Sequence, residues 1–196
     1  DGFADLIVGA PNAESAGGAD EEGESYVIFG GNFTGAVTHL GTPGDDTLTG
    51  SAAAESFVGG TGNDLLIGNG GADAFQGGAG DDVVRVSSLD FHVADGGSGS
   101  DTLELDGAGL DLDLTALADS RTRSIERIDI GGSGSNTLTL GVLDVLNLSD
   151  ESNELLVLGA AGDVVNRGTG WTTAASGGSN GDGTSTIDGQ TYQIYN

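Results

Sequence analysis

A chain of 196 residues has room for one or two small domains, and this one carries 31 acidic against 5 basic side chains, a net charge of −26. That imbalance excludes the electrostatics of nucleic-acid binding, because nothing replaces the phosphate counterions, and it argues equally against an anionic membrane surface unless a multivalent cation bridges the two. Cysteine is absent, which excludes disulfides and thiolate metal sites, and no run approaches the roughly 18 apolar residues of a membrane helix.

No basic segment followed by an apolar run opens the chain, so no cleavable signal peptide is expected. The first segment is residues 1–31. Asp5 to Gly9 (DLIVG) predicts a short buried strand that ends at Ala10-Pro11, and Tyr26 to Gly30 (YVIFG) predicts a second. Between them lies an acidic, glycine-rich loop, Asn12 to Glu24, whose Asp20-Glu21-Glu22 reads as a solvated run. Asp1-Gly2-Phe3, Leu6 to Pro11 and Tyr26 to Gly30 together resemble an FG-GAP unit, the blade repeat of integrin-like propellers. The resemblance implies a calcium loop before the first strand, with Asp1 and Asp5 as its last two carboxylates and the earlier ones before residue 1. It also implies a piece of a longer polypeptide, since one blade makes no propeller.

Residues 32–40 form a connector, with room for a further strand. From Gly41 to Arg85 the chain then repeats every nine residues without slippage: GTPGDDTLT, GSAAAESFV, GGTGNDLLI, GNGGADAFQ, GGAGDDVVR. A sixth unit, GGSGSDTLE, starts at Gly96. Between the fifth and sixth, residues 86–95 are one residue longer than a unit and read as a degenerate half-turn with an insertion. Glycine and aspartate abundance alone would fit disorder, but here both are locked in register with an apolar residue.

Each unit has a turn half, rich in Gly and closed by an acid, and a strand half with one apolar position. Glycine accepts positive φ, so such a turn can curl its carbonyls toward one point, and the Asp adds a hard anionic oxygen. That donor set suits calcium, which takes six to eight oxygens at about 2.3–2.6 Å. The units resemble the RTX, or hemolysin-type, calcium-binding nonapeptide repeat, G-G-x-G-x-D-x-U-x. The resemblance implies an all-β fold: a right-handed parallel β-roll, or β-solenoid, with two units per coil and calcium in the turns. Units one, three and five then stack on one edge and bring Asp46, Asp64 and Asp82 into a column, eighteen residues apart; with the insertion counted as a half-turn, Asp101 joins them. Units two and four stack on the other edge, with Glu55 and Asp73. Glu55 departs from the family's Asp and Ala53 from its third Gly, so that first site should be the weaker. Thr42 and Asn69 replace Gly at a more tolerant position. Leu48, Phe57, Leu66, Phe75, Val84 and Leu103 are the inward apolar residues. So thin a core cannot by itself offset the entropy of ordering the repeat block, so metal-coupled folding is expected.

From residue 106 the nine-residue period is lost. Leu110 to Leu114, Ile125 to Ile130, Thr137 to Leu140 and Leu155 to Leu158 alternate as strands do. A partial unit, GGSGSNTLT, starts at Gly131 with Asn136 at the Asp position, and Val142 to Leu148 fits either a helix or a strand. The end, Thr186-Ile187, Asp188-Gly189 and Thr191 to Tyr195, predicts a hairpin. The expected organisation is therefore a partial FG-GAP-like segment and connector (1–40), a calcium-binding roll (41–105) and a β-rich, solenoid-like region ending in a hairpin (106–196). That last region resembles segments following the repeats in large bacterial RTX adhesin-like proteins.

Nothing points to catalysis. His39 and His92 stand in unrelated contexts, no serine sits in a nucleophile elbow, and Trp171 reads as a core or cap residue. Arg121, Arg123 and Arg127 are expected at the surface, paired with nearby acids. What the resemblance implies is an extracellular, type I-secreted structural or adhesive module that folds on calcium, with open edges that invite self-assembly into filaments or a surface layer. The alternative is the non-catalytic secretion and folding segment of an RTX protease or lipase. Sites of this kind fill where free calcium is near millimolar, which is outside the cell.

Overall fold

The computed structural model describes residues 37–149 and 154–171, together with the backbone pairing of four further strands. The chain divides into two compact units, Asp1–Val37 and Thr38–Asn196. In the first, β1 (Leu6–Ala10) pairs antiparallel with β2 (Glu24–Ile28), Leu6 opposite Ile28. The acidic loop between them, Asp1 and Asp5 lie outside the described residues, as do Asp188 and Gly189.

The second unit is a stack of rungs built from short parallel strands. In chain order these are β3 (His39–Leu40), β4 (Thr47–Thr49), β5 (Ser56–Thr61), β6 (Leu65–Ile67), β7 (Ala74–Ala79), β8 (Val83–Val86), β9 (Val93–Ser98), β10 (Thr102–Leu105), β11 (Asp111–Asp113), β12 (Thr122–Arg123), β13 (Arg127–Asp129) and β14 (Thr137–Leu140). A single seven-residue helix, α1 (Val142–Leu148), follows, then β15 (Leu156–Leu158) and β16 (Val164–Arg167). A terminal antiparallel pair, β17 (Thr184–Ile187) and β18 (Gln190–Gln193), completes the described elements.

The nine-residue period explains the first half. Each unit spends its glycine-rich part on a turn and its x-U-x part on a strand, so alternate units face each other across a thin core. The odd units and the sixth form one sheet in the order β4-β6-β8-β10, continued by β13 and β15; the even units form a second, β3-β5-β7-β9, continued by β12. Leu48 aligns with Leu66 and Leu66 with Val84, as eighteen-residue coils require, and Val84 with Leu103 one residue later. The extra residue is absorbed between β8 and β9, where Ala74 aligns with Val93. Inward side chains stack on their own kind. Phe57 and Phe75 lie face to face at 4.8 Å, and His39 extends that stack by resting on Phe57 at 4.5 Å. Phe57, Leu66, Phe75, Val84 and Leu103 are buried, while Leu48, on the first rung of its sheet, is only partly covered.

Beyond Leu105 the coil lengthens and the cross-section changes. Leu103 aligns with Ile128 and Ile128 with Val157, so a coil now holds well over eighteen residues. The added length forms a third parallel sheet, β11-β14-β16. A three-sided coil encloses more volume than a two-sided one, and it is filled by Leu105, Leu112, Leu114, Ile125, Ile130, Leu138 and Leu140. The run at 142–148, which fits either a helix or a strand by sequence, is a helix; its apolar residues recur three and four apart, so Val145 and Leu148 face the core while Leu143 faces out. Gly141 closes its start by donating its N–H to Asp144 Oδ2 (2.7 Å). Because the thin half of the core rests on its phenylalanine stack, Phe75→Ala is expected to cost about 3–5 kcal/mol, read as a fall in the midpoint of denaturant unfolding at saturating calcium. A loss under about 1 kcal/mol would mean that the stack is not what fills the roll.

Candidate metal centre

The acidic residue of each unit ends the turn and sits just before the strand, so parallel stacking places these residues one above another. Asp46, Asp64, Asp82 and Asp101 form one column, and Glu55 and Asp73 a shorter one on the opposite edge. The same carboxylate bond recurs from rung to rung: the backbone N–H of Asp46 donates to Asp64 Oδ1 (2.8 Å), that of Asp64 to Asp82 Oδ1 (2.7 Å) and that of Asp82 to Asp101 Oδ1 (2.8 Å). Glu55 N–H likewise donates to Asp73 Oδ1 (2.9 Å). Glu126 extends the first column, its Oε2 accepting from Asp101 N–H (2.8 Å).

The second carboxylate oxygen behaves differently along the column. Asp64, Asp82 and Asp101 are 1–2 % exposed, and the Oδ2 of each is buried with no hydrogen-bond donor. At the first rung, by contrast, Asp46 Oδ2 accepts from the Thr42 N–H (2.6 Å) and hydroxyl (2.9 Å), and Glu55 Oε2 accepts from the Ser51 N–H (2.6 Å). The cause lies at the second position of the unit. Thr42 and Ser51 keep negative φ and turn their N–H toward the acid of their own turn. Gly60, Gly78 and Gly97 take positive φ, and so does Asn69, the residue type after glycine that tolerates it best. At Gly78 the requirement is steric as well, since a Cβ would overlap the Gly60 carbonyl one rung away.

These open turns converge oxygens. A methyl at Gly59 would lie under 3.0 Å from both Asp64 Oδ2 and Gly77 O, and one at Gly77 equally close to Asp82 Oδ2 and Gly96 O. A carboxylate oxygen of one rung and a carbonyl oxygen of the next thus share a space that carbon cannot enter. An oxygen set of this kind, anionic and rich in carbonyls, fits a hard divalent cation such as calcium. Among the described residues no three acidic or histidine side chains meet at one point, so each site would draw one carboxylate per rung and take its other oxygens from the backbone.

Burial also shifts the acids. It pushes Asp82 up to about 6 and Asp101 up to about 7, with the neighbouring carboxylates of the column adding to the shift, and it raises Asp73 as well. Glu55 moves the other way, held low by the Ser51 N–H and by His39, whose Nε2 lies 3.3 Å from Oε1.

On the even edge the column stops early. His92 follows Asp73 in register and contributes its backbone N–H to the Asp73 carbonyl (2.6 Å), with no carboxylate. Arg121, expected among surface acids, instead places its guanidinium on the carbonyls of Leu89 and Phe91, in the degenerate turn, with the Phe91 ring 4.9 Å below. Arg123 does pair with an acid, Asp95, at 2.8 Å. Asp163 escapes a strict repeat search because its unit, GAAGDVV, is one residue short; allowing a single deletion recovers it.

Residues 40–54 and 49–84 match the family described as RTX calcium-binding nonapeptide repeat (4 copies). No curated protein and no solved structure matches the chain. The chain therefore carries RTX repeats over this block, and RTX nonapeptide repeats bind calcium.

Two outcomes follow. The folded, metal-free pKa values of Asp82 and Asp101 lie above the unfolded value of about 3.9, so the stability they contribute is present below that value and lost as pH rises through 6 to 7. In EDTA the roll is therefore expected to retain more of its β signal at pH 5 than at pH 8, with Asp82→Asn/Asp101→Asn flattening that dependence; circular dichroism across the range checks it. Calorimetric titration of calcium should lose more affinity with Asp64→Ala than with Glu55→Ala, whose acid is already satisfied by its own turn. Equal losses would contradict the distinction between open and closed turns.

Proposed function

We propose that the chain is an extracellular calcium-dependent structural module of a secreted protein, whose roll orders as calcium enters its turns. The observation that carries this reading is the buried, donor-less Oδ2 repeated at Asp64, Asp82 and Asp101. Taking a carboxylate out of water without a partner costs several kcal/mol or shifts its pKa, and three in one column need a common remedy. Calcium supplies it and lowers a net charge of −26 at the same time.

On this reading the ligands are Asp64, Asp73, Asp82 and Asp101 with the turn carbonyls around them. Asp46 and Glu55 bind weakly, because Thr42 and Ser51 already serve their carboxylates. Near-millimolar calcium outside the cell fills such sites and the low level inside does not, so the chain would leave the cell unfolded and set afterwards. Among the described residues no helix is long and apolar enough to cross a membrane. The module has no catalytic role in this proposal; it spaces or attaches a larger polypeptide, with β1 and β2 as an FG-GAP-like fragment and the open edges of its terminal strands as surfaces for assembly.

Circular dichroism tests the core of the reading: EDTA should abolish most of the β signal of the repeat block and added calcium restore it. A signal indifferent to both would sink it. Sedimentation at millimolar calcium tests assembly, with monomer alone at every concentration ruling out the filament.

A further inference from the structure

Asn136 holds the sixth position of GGSGSNTLT, where the preceding units carry an acid. Its Oδ1 does what Oδ1 of each aspartate does, accepting a backbone N–H from the rung before it, here Leu110 (2.9 Å). The other terminal atom differs. Where Asp64, Asp82 and Asp101 present a buried oxygen without a donor, Asn136 presents a nitrogen, and its two hydrogens go to the carbonyls of Gly107 (3.1 Å) and Ile130 (3.0 Å). The residue is 1 % exposed. The amide fits only this way round, because the Leu110 N–H requires an oxygen and the two carbonyls require donors. The next rung is closed in the same manner: Asp163 Oδ1 accepts from Asn136 N–H (2.8 Å) and its Oδ2 from Ala160 N–H (2.6 Å), which together hold its carboxyl below the usual range.

We propose that Asn136 is a built-in substitute for a calcium ion: in the turns of the third sheet, apart from the column that runs from Asp46 to Glu126, its amide nitrogen gathers carbonyls of two rungs where an aspartate turn would need an ion, and lets the three-sided coils stand without metal. The proposal rests on the reading that Asp64, Asp82 and Asp101 hold calcium. It divides the solenoid into a metal-dependent half and a half closed by the chain's own nitrogen. Arg121, on the carbonyls of Leu89 and Phe91, closes the even edge with a full positive charge in the same sense. The thicker aliphatic core of the three-sided coils makes such independence affordable in stability terms, since Leu112, Ile128, Ile130 and Leu138 are all buried there.

The test is hydrogen exchange on the whole chain, in EDTA and in millimolar calcium, for the wild type, Asn136→Asp and Asn136→Ala, alongside calorimetric calcium stoichiometry. In the wild type, β14 and β16 should stay protected in both conditions while β5 to β10 gain protection only with calcium. Asn136→Asp loses two donors and gains an anionic oxygen; in EDTA its β14 and β16 should exchange roughly tenfold faster or more, as an unsatisfied buried group implies. Calcium should restore their protection, with one more ion bound than in the wild type. Asn136→Ala should lose the same protection, regain none with calcium and bind no extra ion. The proposal is overturned if wild-type β14 and β16 need calcium as β5 to β10 do, or if Asn136→Asp matches the wild type in EDTA or binds no further ion. Failure of the underlying reading has its own signature, equal protection of wild-type β5 to β10 with and without calcium, and that result removes the proposal with it.

Discussion

A carboxylate withdrawn from water must find a donor, a proton or a cation, and a parallel solenoid raises that demand on every rung. Strands in register lie about 4.8 Å apart, so an acid fixed at one position of the repeat becomes a column of acids. One oxygen of each is used by the backbone N–H of the neighbouring rung, which ties the column to the stacking itself. The other oxygen is left over. What meets it differs along the chain: the turn's own N–H at Thr42 and Ser51, nothing within the chain at Asp64, Asp82 and Asp101, and replacement of the oxygen by nitrogen at Asn136. Local sequence at the second and sixth positions of each unit thus decides which carboxylates keep an oxygen without a donor.

This arrangement makes order a regional property. The two-sided coils carry a core one phenylalanine or aliphatic residue thick, with glycine turns whose backbone entropy is high. The three-sided coils enclose several aliphatic side chains per rung and have turns closed by amide and carboxylate groups of the chain itself. Buried aliphatic side chains concentrate in one half, and buried carboxylate oxygens without a donor in the other. The proton competes with calcium for the open carboxylates, which is why acid and metal should oppose the same instability from different directions.

The roll was legible because its period is exact in the chain. Spacing of eighteen residues puts Asp46, Asp64 and Asp82 on one edge and Phe57 over Phe75 in the core, and a single inserted residue before Gly96 leaves Asp101 in line. The glycine pattern also carried the idea of converging carbonyls. What it did not carry was the difference between turns, because Thr42 and Ser51 look like tolerant substitutions until their N–H groups are seen to bond the acids of their own turns. Alternation at Leu110 to Leu114 and Thr137 to Leu140 marked β11 and β14, but their pairing into a third sheet was hidden for a physical reason: coils after Leu105 vary in length, so no fixed period aligns them or marks β12 or β16. Glu126 and Asp163 fall outside the repeat for the same reason. Arg121 misled because a lone cation in an acidic chain points to a carboxylate partner, whereas here two carbonyls of a degenerate turn were better placed to receive it.

Anomalous diffraction from crystals grown with calcium and no chelator tests the central claim most directly. Strong anomalous peaks should lie beside Oδ2 of Asp64, Asp82 and Asp101, with none beside Asn136. A map without peaks at those three carboxylates, or with water alone occupying the space between their rungs, would contradict the account.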